Sequence, residues 1–595
     1  MFLRYTTRKK NGKEHRYYSL VENRRVASGR VVQRHALYLG EINDTQQEAW
    51  RKTIEIFEEG QARPRTVALF PEDRIGPVAD EQIVRIRLKE LSLHRPRQWG
   101  ACWLAVALWE QLGLDEFWAQ RLPPSRKGTR WDWVLEILAV YRLLDPGSEW
   151  RLYRHWFEHS AMADLLGVDQ ELAEIHKLYE CHERLLGHKR ELFGHLTGRW
   201  KDLFNARFEV LLYDLTSTYF ESDPPFPEGD KRRHGYSRDK RPDCVQVVVA
   251  LIVTPEGFPL AYEVLAGNTS DKTTLAEFLK KIEQQYGKAE RIWVMDRGVP
   301  TEKVLAQMRE AQPPVHYLVG TPRGRLSQYE QQLAALPWQV ARAGVSVKLL
   351  AQEQELYVLA ESQDRVSKER AMRRRQLKGL WQRLKKLRTM KLKRDELLKK
   401  LGAALHDYPV AARLVHSTVS PGKAELSFEL RKAKLRQVRK REGRYLLRSN
   451  MVSGRSPEEL WQFYIQLTEV EAAFKSLKDD LALRPIHHQL EHRIEAHIFI
   501  SFLAYCLQVT LRRRLRDLAP GLTPRSVLEK FGTIQMLDVH LPTTDERTVI
   551  LSRYTHPETD VQLLLQHLKL ELPAQPPPKI ISPKTNRSGP SVVKT

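Results

Sequence analysis

The chain has 595 residues, with 97 Lys+Arg against 74 Asp+Glu and a formal net charge of +23. That length exceeds one ordinary hydrophobic core and predicts three or more domains, and the basic excess favours a polyanionic partner, since phosphate backbones release counterions on meeting it. The separated cysteines Cys102, Cys181, Cys244 and Cys506 exclude a disulfide framework and a C-x-x-C zinc site.

The opening MFLRYTTRKKNGKEHRYY lacks the apolar core of a secretory signal, so a reducing, cytosolic location without membrane attachment is expected. Residues 1–45 alternate polar and apolar around NGK and ASGR turns and predict a small antiparallel sheet. A helix is expected over 46–60, a connector from Pro64 to Pro77, and a strand in EQIVRIRLKELSL. Residues 98–205 carry apolar side chains at three- and four-residue intervals, broken at Pro123–Pro124 and Pro146–Gly147. This helical block holds Trp103, Trp109, Trp118, Trp131, Trp133, Trp150 and Trp156, which read as core rather than as base-stacking rings.

From residue 206 the pattern changes. FEVLLYD predicts a buried strand, VQVVVALIVTPEGFPLAYEVL a hairpin around Thr254–Gly257, and DKTTLAEFLKKIEQQYG an amphipathic helix. RIWVMD, TEKVLAQMREA and VHYLVGT continue as strand, helix and strand. This order suits an α/β fold. Short alternating strands follow over 331–362, then a charged helix from Asp364 to Leu401 with 16 Lys/Arg against 4 Asp/Glu, read as a rail for a nucleic-acid backbone. A second basic run, RKAKLRQVRKREGR, precedes the strand YLLRSN; helices resume near Pro457 and run to Leu518. In that stretch IFISFLAYCLQVTL reads as a buried helix, too short to span a membrane. The tail from Pro573 lacks apolar periodicity and is expected to be disordered.

Three acidic residues carry the candidate chemistry. Asp214 follows the apolar run of FEVLLYD, and Asp296 follows IWVM, with Gly298 permitting a sharp turn. A carboxylate at the carboxyl end of a central strand is exposed yet rigidly held. Glu471 lies in the helical pattern YIQLTEVEAAFKSLK, where Tyr464, Glu471 and Lys478 recur every seven residues and share a face. Oxygen donors of this kind suit Mg²⁺ or Mn²⁺ rather than zinc. Glu469 competes with Glu471 but lies about 160° away around the helix. The segment KRRHGYSRDKRPD offers Lys231, Arg232, Arg233, His234, Tyr236, Arg238, Lys240 and Arg241 to a DNA backbone. Asn268 and Asp271 either line the site or serve as a turn and a helix cap, and the cap is the favoured reading for Asp271. His487, His488, His492 and His497 lack tight ligand spacing and read as structural or phosphate-contacting.

The spacing Y-x2-L-x3-E-x6-K from Tyr464 to Lys478, with YDLTSTYFE, HGYSRDKRPDCVQVVVAL, GFPLAYEVLAGNTSD, VMDRG and RPIHHQLEHRIEAHIFISFLAY, resembles the DDE transposases of bacterial insertion sequences, of the IS-four superfamily. The resemblance is close over about 206–330 and 445–515, and RYYSLVENRR and RVVQRHALYLG resemble the same family's opening. It implies an RNase H-like core interrupted by a β-rich insertion carrying the long basic helix, preceded by small β and helical DNA-binding regions. The corresponding segments are 1–95 (β-rich, end binding), 96–205 (helical, DNA binding), 206–330 (first core part), 331–445 (insertion), 446–545 (second core part with the catalytic helix) and 546–595 (C-terminal region and tail).

By the same resemblance Asp214, Asp296 and Glu471 are catalytic and hold two Mg²⁺ ions, for which Mn²⁺ substitutes. Such a pair activates the nucleophile and stabilises the leaving 3′-oxygen. Tyr464, Lys478, Lys475, Arg238, Arg241 and Arg297 are the implied DNA contacts. The family's Arg between the Tyr and the Glu is Leu467 here, and Lys475 is the nearest substitute. The expected activity is binding of terminal inverted repeats, with cleavage and strand transfer by a homodimer on double-stranded DNA in a bacterial cytoplasm, nucleoid-associated when bound. The alternatives are a nuclease without strand transfer and an inactive basic nucleic-acid-binding protein.

Overall fold

The computed structural model describes residues 2–10, 13–25, 31–43, 46–47, 50, 85–222, 226–269, 271–286, 291–296, 299–321, 323–352, 354–421 and 424–581. The helix expected over 46–60 and the connector Pro64–Pro77 lie for the most part or wholly outside these residues. Strands β1 (Phe2–Lys10), β2 (Lys13–Arg25) and β3 (Val31–Gly40) form the expected antiparallel sheet. Its alternation turns Tyr18, Leu20, Leu37 and Leu39 into the main core.

The strand expected at 81–93 comes later in the chain. Leu88–Glu90 make a 3-10 turn, and β4 spans Ser92–Gln98. Its Pro96 is tolerated because β4 is an edge strand, whose ladder runs along Gln535–Pro542. Buried Arg97 on this strand donates to Asp538 at 3.0 Å and Asp164 at 2.7 Å.

The helical block comprises α1 (Gly100–Gln111), α2 (Leu114–Arg121), α3 (Trp131–Leu144), α4 (Ile175–Leu185) and α5 (Lys189–Phe204). Trp109, Trp118, Trp131 and Trp156 are buried, as core rings should be, whereas Trp150 is 51% exposed.

The central element is a nine-stranded mixed sheet. Five strands come from the expected α/β segment: β5 (Val210–Phe220), the hairpin β6 (Val245–Val253) and β7 (Pro259–Ala266), β8 (Ile292–Met295) and β9 (His316–Gly320). β5 is antiparallel to β6 and parallel to β8, which is parallel to β9. β6 is buried at every position, which is why it reads as a continuous apolar run. Helices α6 (Asp271–Tyr286) and α7 (Glu302–Glu310) make the crossovers.

After α8 (Arg323–Ala335) the chain adds β10 (Gln339–Arg342), β11 (Val345–Gln352) and β12 (Glu355–Ser362) to this same sheet through β15 (Arg444–Ser449). The single charged helix expected from Asp364 to Leu401 is two helices, α9 (Gln363–Thr389) and α10 (Arg394–Asp407). Extended backbone at Met390 ends α9, and Leu380, Leu384 and Leu387 bury against Leu397, Leu401 and Ala404. An apolar stripe within the basic helix thus drives a hairpin. Strands β13 (Val415–Val419) and β14 (Leu426–Leu430) pack on it, and α11 (Lys432–Lys440) carries the second basic run.

Helices α12 (Pro457–Ile465) and α13 (Leu467–Lys475) return the chain to the sheet. The apolar run near residue 500 lies in α14 (Glu491–Leu518), 28 residues long. Length and composition would let this helix cross a membrane, contrary to the expectation from the run alone, but 94% of its apolar window is buried within the fold, where it packs on α3 and α4. After α15 (Pro524–Phe531), strands β16 (Gln535–Pro542) and β17 (Thr548–Tyr554) pair with each other, β16 also with β4. Helix α16 (Thr559–Leu568) follows. The tail expected to be disordered from Pro573 contributes β18 (Lys579–Ile581) to that sheet; residues 582–595 lie outside the described ones.

Glu136 on α3 is buried, and burial, with Glu110, Asp115 and Asp132 nearby, pushes its carboxyl up to about 8. The folded state therefore keeps a proton that the unfolded chain loses near 4.5. Stability from this group is full below that value and is lost as pH rises through about 8. Glu136→Gln should match the wild type at about pH 5 and exceed it by roughly 3 kcal/mol at about pH 8.5. Urea denaturation at the two pH values checks this; an equal gain at both would contradict it.

Candidate active site

Strands β5 and β8 pair in parallel with Tyr213 opposite Met295. The next residues on each are Asp214 and Asp296, so the two carboxylates occupy matching positions on adjacent strands, whose backbones lie about 4.8 Å apart. β8 stops at Met295, whereas β5 continues to Phe220 paired with β6. Asp214 is therefore not at a strand end, as expected from sequence, but inside β5, because Leu215–Phe220 still find hydrogen-bond partners on the hairpin. It sits where the parallel pairing ends and the sheet opens. Asp214 is half-buried and Asp296 exposed. Arg297 and Gly298 lie outside the described residues.

Helix α13 packs on β5 and β6 through buried Val470, Ala473 and Phe474. This leaves Glu471 exposed and without an ion pair among the described residues. Glu469, its rival, is held at 3.2 Å by Arg512 of α14. Leu467, where the family pattern has Arg, is buried among the core residues. Lys475 one turn beyond Glu471 is exposed.

The continuous helix that would align Tyr464, Glu471 and Lys478 is not formed. A turn at Gln466 separates α12 from α13, and Ser476–Asp480 form a π-helical turn. Tyr464 stacks on Tyr445 of β15 at 5.5 Å between ring centroids. Lys478 is buried and donates to Asp239 at 2.8 Å, which Arg484 also holds. Burial lowers the Lys478 ammonium below its usual range, and the Asp239 hydrogen bond opposes that shift. The lysine expected at a scissile phosphate is thus engaged by a carboxylate of the loop 231–243.

The same loop divides into buried and open parts. Arg232 is buried, chelated by Asp230 at 2.7 Å and placed over Phe226. Lys231 pairs with Glu491 at 3.0 Å. Arg241 is forked between Asp243 (2.9 Å) and Glu221 (3.0 Å) above Tyr219. The Arg238 backbone donates to Ser217 Oγ at 3.3 Å. His234, Tyr236 and Lys240 face solvent, Tyr236 at 84% exposure. Gln246 anchors the loop by donating to the carbonyls of Gly267 (2.8 Å) and Tyr236 (3.2 Å). Asp239, Arg484, Arg512 and Gln246 went unnoticed in the sequence; a lone Asp amid Lys and Arg in SRDKR was the one available signal.

Three oxygen donors with no thiolate or imidazole among them fit hard divalent cations. Among the described residues, the group of His, Cys, Asp and Glu side chains whose ligand atoms lie mutually within 4.8 Å is Glu149, His182 and His488, not the three carboxylates.

Residues 206–507 match the family model of the transposase DDE domain, and residues 3–68 that of the IS1634 family transposase N-terminal domain. The first match covers just over half of the chain, and the chain belongs to the DDE transposases. It is accordingly an enzyme of DNA cleavage and strand transfer, of a class that works with divalent metal ions. No curated protein sequence matches it. Among solved structures, a piggyBac transposase synaptic complex with hairpin DNA is similar at a TM-score of 0.33 and 9% identity, over 72% of this chain and 79% of that one.

Lys478→Met leaves Asp239 buried with Arg484 alone. Unpairing a buried charge costs about 3 kcal/mol, so the urea midpoint should fall measurably without DNA present. An unchanged midpoint would show that Lys478 has no such internal role.

Proposed function

We propose that Asp214, Asp296 and Glu471 are the catalytic triad of this transposase and the ligands of two Mg²⁺ ions, replaceable by Mn²⁺. The observation that carries this reading is the register of β5 and β8, which sets Asp214 beside Asp296, together with the packing of the Glu471 helix on β5. The free carboxylate of Glu471, against the paired one of Glu469, supports the choice between them. Divalent ions held there would supply Lewis acidity to the scissile phosphate and its nucleophile.

The sheet segment β7-β6-β5-β8-β9, with three antiparallel strands followed by two parallel ones, supports an RNase H-like core. In this reading the core is assigned to 206–330 and 446–545, interrupted by an insertion over 331–445, with 546–595 as a C-terminal region. The protein's own residues have distinct tasks. β5 holds Asp214 through its pairing with β6, just beyond the residues paired on both sides; α13 presents Glu471 on a face whose opposite side is anchored, and exposed Lys475 contacts a DNA phosphate. Arg238, Tyr464, Arg241 and Arg297 serve the same backbone, Arg241 by exchanging Asp243 and Glu221 for phosphate. Lys478 takes part through Asp239, as the brace between loop and helix.

Residues 1–95 and 96–205 are assigned to terminal inverted-repeat binding, where exposed Tyr5 and Tyr38 stand on the basic N-terminal sheet. The active form is a homodimer that synapses two ends of double-stranded DNA, in a bacterial cytoplasm at the nucleoid.

Asp214→Asn, Asp296→Asn and Glu471→Gln should each lower cleavage of a labelled transposon-end duplex by about 10³-fold, roughly 4 kcal/mol of barrier, while gel-shift affinity in Ca²⁺ stays within a few-fold of wild type. Glu469→Gln should retain cleavage. Full cleavage by any triad variant would remove the assignment.

A further inference from the structure

A second cluster of ligand-type side chains lies away from the three carboxylates. Glu149 opens a one-turn helix after the Pro146–Gly147 break, with the Ser148 hydroxyl accepting from the Arg151 backbone. His182 lies on α4, and His488 lies in the segment between the π-helical turn and α14. Glu149 Oε1 is 3.3 Å from His488 Nε2 and 3.6 Å from His182 Nε2, and the three ligand atoms lie mutually within 4.8 Å. All three side chains are at least nine-tenths buried.

The polar accounting here does not close with protein partners alone. His182 is fully buried, and neither of its ring nitrogens has a hydrogen-bond partner. His497 Nε2 and Arg142 Nε, beside it, also lack one. Arg142 donates to His497 Nδ1 at 3.4 Å and approaches Glu149 only to 4.0 Å. Buried polar atoms without partners are rare and call for a water or an ion. A separation of 3.6 Å is long for a hydrogen bond. It is close to the edge of a tetrahedron whose ligands stand about 2.0–2.1 Å from a central zinc, which is roughly 3.3–3.4 Å.

We propose that Glu149, His182 and His488 form a divalent-metal site selective for zinc, which ties the helical block to the chain segment leaving the catalytic helix. Two imidazoles and one carboxylate are a zinc donor set, with a fourth position for water, whereas Mg²⁺ demands oxygen ligands. A neutral imidazole offers one ring nitrogen to a metal, and on both His182 and His488 the Nε2 atom is the one that faces Glu149. Glu149 and His182 belong to the helical block, and His488 follows Glu471 by 17 residues. The segment between is already clamped at one end, where Lys478 and Arg484 hold Asp239. A metal at its other end would fix both ends of the chain that supports the Glu471 helix. The site stands apart from the triad assignment and survives its failure.

Full-length protein, purified without chelators and dialysed into Mg²⁺ buffer, is assayed for metal content and by X-ray absorption at the zinc edge. The expected result is one zinc per chain with imidazole scattering, kept in Asp214→Asn/Asp296→Asn and lost in His182→Gln/His488→Gln. Should the histidine variant fail to fold, chelator-stripped wild type decides. One equivalent of Co²⁺ should then give the intense visible bands of tetrahedral coordination, displaced by one equivalent of Zn²⁺. Wild type that retains no zinc and shows no such bands overturns the proposal. So does zinc that persists in the histidine variant or disappears in the aspartate variant.

Discussion

The candidate active site depends on the parallel pairing of β5 with β8. Two carboxylates side by side repel, by about 1 kcal/mol at 4 Å in water and roughly 4 kcal/mol at an effective dielectric of 20. Backbone hydrogen bonds that exist for other reasons overcome that repulsion. β5 is paired on both sides over Leu212–Tyr213, and its apolar neighbours are fully buried, so the sheet fixes Asp214 before any ligand arrives. The chain between the strands, a hairpin and one crossover helix, is what a parallel neighbour requires.

Around this frame, the basic excess is used in two ways. Some cations are structural: Arg97 on Asp538, Arg232 on Asp230, Lys478 and Arg484 on Asp239, Arg512 on Glu469. Apart from Arg232 on Asp230, they join elements far apart in sequence, and their carboxylate partners consume charge that would otherwise meet DNA. Others, on α9, α11 and the open part of the 231–243 loop, stay exposed. Net charge alone therefore overstates the surface available to a phosphate backbone, and burial decides which lysines and arginines count.

The chain over 331–445 shows a related economy. Its strands β10, β11 and β12 add to the edge of β15, which itself pairs with β9, rather than building a separate sheet, so that edge is covered by the protein's own chain. The α9–α10 hairpin with β13 and β14 has a small core of its own, and Leu333, Tyr357, Leu359 and Leu446 form another where α8 packs on the added strands.

The amino-acid sequence determined the elements whose signal is local. Continuous apolar runs marked β5, β6, β8 and β9, three- and four-residue periodicity marked the helical block, and acidic residues at the edges of apolar runs marked Asp214 and Asp296. Much of the architecture needed the tertiary structure. The register that makes Asp214 and Asp296 neighbours, the pairing of Ser92–Gln98 with Gln535–Pro542, and the meeting of Glu149, His182 and His488 all join residues tens to hundreds of positions apart. No local pattern encodes such pairings. The helix breaks at Gln466 and Met390 escaped notice for a similar reason, because propensity there favours continuation and packing against distant elements decides. Lys478 shows the limit most clearly: its spacing from Glu471 suggested a hand held out to DNA, and only the folded loop placed Asp239 beneath it.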